Sequence, residues 1–363
     1  MKFFVLFYNF LVFLFAVGLT SCEDSYEIIQ KGELNNEATF RTVDDLQLFL
    51  NGVYSNAEVY NQFFLSAALT DELGVGASNG GNDRVLHRFQ FTVNDGYAGA
   101  AWRGNHTLVN RVNRLLAGAE LITVNDASEE ALKQSIIAQA RALRAFAYLQ
   151  LSTYFSPDMT NNNALSGIVF DNVPSIGDVA PRSTNADVQA FIEADLAFAY
   201  ANLTENMSSV GRANKWAAAA YLGKVQMFRK KYADAKTTLT AVITSGKTPV
   251  GVKYALLPKF GDVFDPAKKN GSEHVFSVQM TVNDGTGAAN ANAGDALNFP
   301  YGGETGCCGF FQPSFTLANI YKVTADGLPM LGDEFFTNPL KNDQGISSDK
   351  AYSPDVTTPL DHR

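Results

Sequence analysis

SEEALKQSIIAQARALRAFAYLQLSTYF, residues 128–155, is the longest stretch of the chain that is both apolar and rich in strong helix formers. Ser128 reads as its start, with Glu129 and Glu130 at the positive end of the helix dipole, and Pro157 closes it. Leu132, Ile136, Leu143, Ala147, Leu151 and Tyr154 recur at steps of three and four, and Ile137, Ala140, Tyr148 and Phe155 fill a neighbouring stripe. Two stripes predict two packing partners. Past Lys133 the only charges are Arg141 and Arg144, one turn apart, and guanidinium groups on so apolar a helix need carboxylates or carbonyl oxygens around them. They are read as structural.

Working outward, TVDDLQLFLNGVYSNA (residues 42–57) predicts a helix capped by Thr42 and Asp44 and continuing to about Tyr60, with Leu46, Phe49, Leu50, Val53 and Tyr54 on one face. AWRGNHTLVNRVNRLL (residues 101–116) predicts a second helix opened by Trp102, whose indole reads as core. Thr184 caps a further helix carrying Val188, Phe191, Ile192, Leu196 and Ala199 on one face. RANKWAAAAYLGKVQMFRKKYADAKTTLTAVITSG (residues 212–246) reads as two helices joined at residues 229–232. Its Leu222, Gly223, Tyr232, Ala235 and Leu239 fall on the spacing of a tetratricopeptide repeat, where small residues let two helices approach. Residues 67–99, rich in Gly and Asn, and residues 156–181, containing Asn, Gly and Pro, read as long connections, the first with only a short alternating patch at residues 85–93. From Pro258 the composition turns to Gly, Asn and Pro again, interrupted by EHVFSVQM (residues 273–280), which alternates like a strand, and helix is expected to return at Pro313 in QPSFTLANIYKVTADG.

The N-terminus opens with Lys2 and FFVLFYNFLVFLFAVGL, a short charged region and an apolar region too short to span a bilayer comfortably and interrupted by Asn9, which is the pattern of a cleaved signal peptide. Leu19-Thr20-Ser21-Cys22 follows directly and resembles the lipobox of bacterial lipoproteins, in which the cysteine is lipidated and becomes the first mature residue. The polar stretch after it, to about Thr39, suits a tether.

Composition excludes several classes of function. A formal charge of −9 and a sequence pI near 5.0 oppose nucleic-acid binding, which needs clustered Lys and Arg. Of three cysteines, Cys22 is isolated and Cys307 and Cys308 are adjacent, so there is no disulfide framework. AVITSGKT (residues 241–248) mimics a phosphate loop, yet it follows a helix where such a loop must follow a strand and open a helix. His87, His106, His274 and His362 have no second ligand at helical spacing, so no metal and no cofactor is expected. No catalytic residue is assigned.

The loop NFPYGGETGCCGFF (residues 298–311) offers aromatics on a glycine-rich backbone. Sugars present apolar faces rimmed by hydroxyls, so an exposed aromatic with Asn, Asp or Glu beside it is the chemistry that holds them. Tyr301, Phe310 and Phe311 are the candidate platform, with Asn298 and Glu304 beside it; the alternative is that these rings complete a core.

RALRAFAYLQLSTYF (residues 141–155) resembles the helix that marks the SusD/RagB family of outer-membrane glycan-binding lipoproteins of Bacteroidetes. TVDDLQLFLNGVYSNA, AWRGNHTLVNRVNRLL and the Pro-Ser segment at Pro313 resemble further family segments in the same order, and Glu23 and Asp24 resemble the acidic export signal of surface lipoproteins. The resemblance implies a mainly α, SusD-like fold, with tetratricopeptide-type helix pairs as a scaffold and a loop-rich lobe that carries recognition. The division is residues 1–21 signal peptide, 22–39 tether, 40–257 scaffold with inserted loops, and 258–363 loop-rich region with one helix. It implies a non-catalytic, cell-surface protein held to the outer membrane by a lipid on Cys22, which captures an oligosaccharide and delivers it to a SusC-like TonB-dependent transporter. It also draws Asp71, Asn79, Asn82 and Tyr97 toward the sugar site at residues 298–311. TTPLDHR at the end resembles a DPRLD-like motif with His362 in place of proline, after which family members continue, so a C-terminally incomplete chain is expected. A surface glycosidase and a tetratricopeptide-type peptide-binding adaptor are the rival readings.

Cys22→Ala is expected to abolish incorporation of labelled palmitate and to release the protein from membranes, since stable anchoring takes more than one acyl chain. Membrane retention equal to wild type would overturn the lipidation of Cys22.

Overall fold

A computed structural model of the chain describes residues 39–57, 69–70, 73–75, 89–90, 92–94, 96–175, 177–279, 311–313 and, in part, 317–330. The signal peptide, Cys22 and most of the tether, together with Cys307 and Cys308, lie outside the described residues.

Among the described residues six α-helices form the body: α1 (Val43–Tyr54), α2 (Gly96–Leu121), α3 (Ala127–Phe155), α4 (Asn185–Asn202), α5 (Lys215–Phe228) and α6 (Tyr232–Ser245). Short side chains with an acceptor oxygen begin most of them. Thr42 and Asp45 form a reciprocal capping box on α1, Thr184 caps α4 and Asn214 caps α5. The start of α3 is set by Asp126, not Ser128: its carboxylate accepts from the backbone N–H groups of Ser128 and Glu129 at 2.8 and 2.9 Å. Ser128 lies in the first turn. Two other boundaries differ from expectation. α1 stops at Tyr54 with Ser55 as its C-cap, and α2 begins at Gly96, which puts Trp102 inside the helix.

α3 is the central element, with buried residues all round from Ile136 to Ser152. It packs on α1, α2 and α4, three partners where two stripes suggested two, and Leu132 stays exposed near its start. The array continues as α4 on α5 and α5 on α6, while α1 lies against both α2 and α3. Turns of a few residues, 122–126 and 229–231, join α2 to α3 and α5 to α6, the geometry of tetratricopeptide-type helix pairs. The fold is mainly α. None of the described helices is long and apolar enough to cross a membrane.

Leu46, Leu50, Val53, Leu108, Val112, Leu115, Ile136, Leu151 and Ile192 are essentially inaccessible and fill the seams between these helices. Burying each such side chain contributes about 1.5–3 kcal/mol. Two glycines of the α5–α6 pair sit at close approaches. A Cβ on Gly223 of α5 would lie 2.5 Å from the Leu239 side chain on α6, and one on Gly246 would lie 2.3 Å from the Val242 carbonyl oxygen. Gly246 caps α6, so residues 241–245 of the phosphate-loop mimic are the end of a helix.

Charge binds the middle of the array. Asp195 on α4 accepts from Arg144 Nε at 2.8 Å and Nη2 at 2.9 Å, and from Arg141 Nε at 2.6 Å. Arg144 Nη1 donates to Asn113 Oδ1 on α2 at 2.6 Å, and Asn113 Nδ2 donates to the carbonyls of Phe170 and Asn172. Each guanidinium also lies over a ring of α4, Arg141 over Phe198 and Arg144 over Phe191. The two arginines are thus satisfied by a carboxylate, an amide and π faces.

Beyond α6 the chain is irregular, with 3₁₀ turns at Phe260–Phe264 and Pro266–Lys268. Residues 273–279 are not a strand: no described strand lies beside them to pair, and side chains hold them instead, Tyr254 donating to the Val275 carbonyl and Glu273 accepting from Leu257 N–H. Pro313 itself is extended, as the last residue of β2 (Phe311–Pro313), and helical backbone is present at Leu317 and Ile320, the start of that helix lying outside the described residues.

Asp195→Ala leaves two guanidinium groups facing an emptied site and is expected to destabilise the protein by on the order of 3–5 kcal/mol. Urea unfolding measures this. A midpoint equal to wild type would show that the network is dispensable.

Candidate functional site

Among the described residues one ladder exists, and it joins the two loop regions singled out for sugar binding. β1 (Leu73–Val75), within the 67–99 connection, pairs antiparallel with β2 (Phe311–Pro313) in the register Leu73 to Pro313, Gly74 to Gln312 and Val75 to Phe311. The backbone at Phe311, the last residue of the 298–311 loop, therefore sits opposite Val75. Asp71 lies two residues before the segment that pairs, Phe310 immediately precedes β2, and Tyr97 lies in the first turn of α2. Asn79, Asn82, Asn298, Tyr301 and Glu304, with Asp71 and Phe310, lie outside the described residues. What the structure brings together is the two chain segments. Residues 73–75 and 311–313 are far apart in sequence, and neither reads as a strand by itself.

The first half of α2 carries an aromatic cluster. The Trp102 indole packs tilted on the His106 ring at 4.7 Å between centroids and edge-on against Phe155 at 5.0 Å, partly buried against the core. This is the packing role expected of Trp102. Arg182, whose guanidinium lies 6.0 Å from the indole, donates to the backbone carbonyls of Phe155, Leu165 and Ser166 and so ties the 156–181 connection to the end of α3. His106 stands out. Its ring faces Trp102 and Phe170, neither ring nitrogen has a hydrogen-bond partner among the described residues, and burial pushes its pKa down to about 4. One turn on, Asn110 Oδ1 is likewise buried without a partner. No group of three His, Cys, Asp or Glu that would hold a metal ion occurs among the described residues.

A concavity lies on the scaffold and had no signal in the sequence, because its lining comes from three separate segments. It is an open cleft of about 360 Å³ between the C-terminal end of α1, the connector from α4 to α5 and residues 276–279, and Asn51, Tyr54, Ser209, Arg212, Phe276 and Gln279 contribute to its walls. Tyr54 is fixed at its base: its hydroxyl donates to Gln139 Oε1 at 3.0 Å and accepts from Ala213 N–H at 2.9 Å, and burial pushes its pKa up to about 12. Arg212 lies over the Tyr54 ring, with Cζ 4.5 Å from the centroid, and its Nη2 donates to Asn51 Oδ1.

A family model of SusD-like proteins, described as starch-binding and associating with the outer membrane, matches residues 30–227, more than half of the chain. The chain belongs to the SusD-like family. A SusD-like protein of Bacteroides ovatus is 28% identical over 283 residues, which cover 73% of this chain and 48% of that one. SusD-like protein P2 of Formosa agariphila is 27% identical over 278 residues, 75% of this chain and 52% of its own. The SusD-like chain thus spans about half the length of these relatives. Among solved structures, a SusD-like carbohydrate-binding protein from Bacteroides fragilis shares the fold with a TM-score of 0.63 at 18% identity, over 82% of this chain and 56% of that one. A laminarin-binding SusD-like protein superposes with a TM-score of 0.54 at 23% identity, over 65% of this chain and 51% of its own.

The buried, neutral His106 makes stability depend on pH. Its folded pKa of about 4 lies below the ordinary 6.5, so between these values the unfolded chain takes up a proton that the folded one does not. The contribution is fully present above about pH 6.5 and is lost progressively as pH falls to about 4. His106→Gln is expected to flatten that part of the stability profile, measured by urea unfolding at stepped pH. An unchanged profile would assign the acid sensitivity to other groups.

Proposed function

We propose that this SusD-like protein is a cell-surface lipoprotein, anchored in the outer membrane through Cys22, that captures an oligosaccharide and delivers it without cleavage to a SusC-like TonB-dependent transporter. The carrying observation is the β1–β2 ladder, which ties together the two loop regions that hold the sugar-compatible residues, on a chain whose family is described as starch-binding. The laminarin-binding relative of like fold supports the same reading. On this proposal Tyr301, Phe310 and Phe311 supply the stacking surface, Asn298 and Glu304 bond ring hydroxyls, and Asp71, Asn79, Asn82 and Tyr97 contribute from the facing connection. The helical array is the scaffold that holds both loops and offers its outer surface to the transporter.

The test is calorimetric titration of the protein beginning after Cys22 with laminarin and starch oligosaccharides, with product analysis for cleavage. Dissociation constants in the micromolar to millimolar range are expected, roughly 4–8 kcal/mol, with little dependence on salt because a neutral sugar releases no counterions. No shortened product is expected. Tyr301→Ala, and Phe310→Ala with Phe311→Ala, are expected to remove most of the binding at nearly unchanged melting temperature. Variants that melt several degrees lower, or bind as wild type does, would assign these rings to packing. Cleavage of the oligosaccharides would make the protein a glycosidase.

A further inference from the structure

We infer that the exposed face of residues 250–269, the stretch that follows α6, docks on an anionic lipid surface, with Leu256, Phe260 and Phe264 entering the headgroup layer and lysines on its phosphates. The inference rests on the proposed outer-membrane anchoring for its location only and is independent of sugar capture. Three observations carry it.

The first is an apolar face that the fold holds outward. Tyr254 turns inward, packing with Trp216 and Val242, and its hydroxyl donates to the Val275 carbonyl at 3.2 Å. Ala255 N–H donates to the Ser272 carbonyl and Leu257 N–H to the Glu273 carboxylate. With the backbone fixed in this way, Leu256 is left 85% exposed, Phe260 79% and Phe264 70%, and Val250 and Val252 are exposed beside them in the chain. Single exposed apolar side chains are ordinary, but three large ones between residues 256 and 264 make a patch, and a patch marks an interaction surface. The Phe260 and Phe264 rings meet edge to face with centroids 5.4 Å apart, so they form a knob and not the flat platform on which a sugar stacks.

The second is that the stretch satisfies much of its own backbone, as a segment entering a lipid layer must. Within the two 3₁₀ turns Asp262 N–H donates to the Lys259 carbonyl and Lys268 N–H to the Asp265 carbonyl, and the Asp265 carboxylate accepts from Ala267 N–H.

The third is charge, and it selects the occupant. Residues 212–269 hold twelve Lys and Arg against three Asp and Glu, a balance of +9 in a chain of −9. Within the face itself Lys253, Lys259, Lys268 and Lys269 are exposed. Its two acids, Asp262 and Asp265, both sit on Lys268, at 2.5 and 3.9 Å, while Lys253, Lys259 and Lys269 have no carboxylate partner among the described residues. Lysines interleaved with exposed phenylalanine and leucine match a bilayer interface, where phosphates take the ammonium groups and the acyl boundary takes the apolar side chains. An acidic protein surface offers the charge without the apolar layer.

Flotation with vesicles tests this on the mature chain from residue 22 carrying Cys22→Ala, so that no acyl chain contributes. Vesicles of phosphatidylcholine with about 30% phosphatidylglycerol are expected to bind it with half-saturation at accessible lipid on the order of 1 mM, and phosphatidylcholine alone at least about fivefold more weakly. Raising salt from about 50 to about 500 mM is expected to weaken binding several-fold. Phe260→Ala with Phe264→Ala should lower it at least about tenfold at an unchanged melting temperature, and Lys253→Gln, Lys259→Gln and Lys269→Gln together should lower it several-fold. In Phe260→Trp, the added emission should be that of a water-exposed indole and should shift to the blue when anionic vesicles are added. Sugar titration of the same protein is a separate readout, so failure of lipid docking and failure of sugar capture are told apart. No binding to anionic vesicles, equal binding to both kinds, or undiminished binding by the phenylalanine variant would each overturn the inference. So would a Phe260→Trp emission already blue before lipid is added, which would show the face covered by the chain itself, or a dimer in sedimentation that the phenylalanine variant dissolves, which would assign the face to a second copy.

Discussion

A single buried carboxylate, Asp195, holds the helical array in register. Two guanidinium groups from α3 converge on it, and one of them continues through Asn113 of α2 to the backbone of residues 170 and 172. Three helices and the connection between two of them are thereby fixed to one point. Apolar seams alone would tolerate small slides of one helix along another, because hydrophobic contact is not directional. A two-point arginine–carboxylate pair is directional, and a slide would leave buried charge unpaired at a cost of several kcal/mol. Tyr148, fully buried one turn beyond Arg144, extends the same constraint: its hydroxyl accepts from Phe170 N–H at 2.7 Å and donates to the Phe170 carbonyl.

That rigidity matters because what joins the proposed recognition segments is a pair of three-residue strands, β1 and β2. Short strands such as β1 and β2 have little stability in isolation. They are supported by what they connect to, and β1 belongs to the connection between α1 and α2, both of which lie against α3. The same array builds the Arg212 cleft from α1, the α4–α5 connector and residues 276–279. The sugar-compatible loops and the cleft are therefore both positioned by the scaffold but draw on different parts of it, and they differ in chemistry. The loops carry aromatics with amides and carboxylates beside them, while the cleft holds the Arg212 guanidinium over the Tyr54 ring.

The helices were legible in the sequence because helix formation is local. Spacing at three and four residues, Thr184 at the start of α4, Pro157 past the end of α3 and the small residue Gly223 opposite Leu239 each act within a few turns or one hairpin. Errors fell where two local signals competed. Asp126 and Ser128 are both good caps, and only the backbone geometry selects Asp126. The alternation in EHVFSVQM read as a strand, yet alternation makes a strand only where a partner edge exists. Leu132 fits the stripe of α3 but lies near its start, where neighbours are few.

The sequence by itself determined a mainly α protein, the approximate extents of its helices, the demand of Arg141 and Arg144 for an acidic or carbonyl partner, and the membership of the SusD-like family. Only the tertiary structure decided that the partner is Asp195, that α3 has three neighbours, that residues 73–75 pair with 311–313, and that Arg212, Asn51 and Gln279 enclose one cleft. The reason is distance along the chain. Periodicity and capping report interactions between residues a few positions apart, whereas a salt bridge across 51 positions, a ladder between distant segments or a three-segment cleft leaves no local pattern to read.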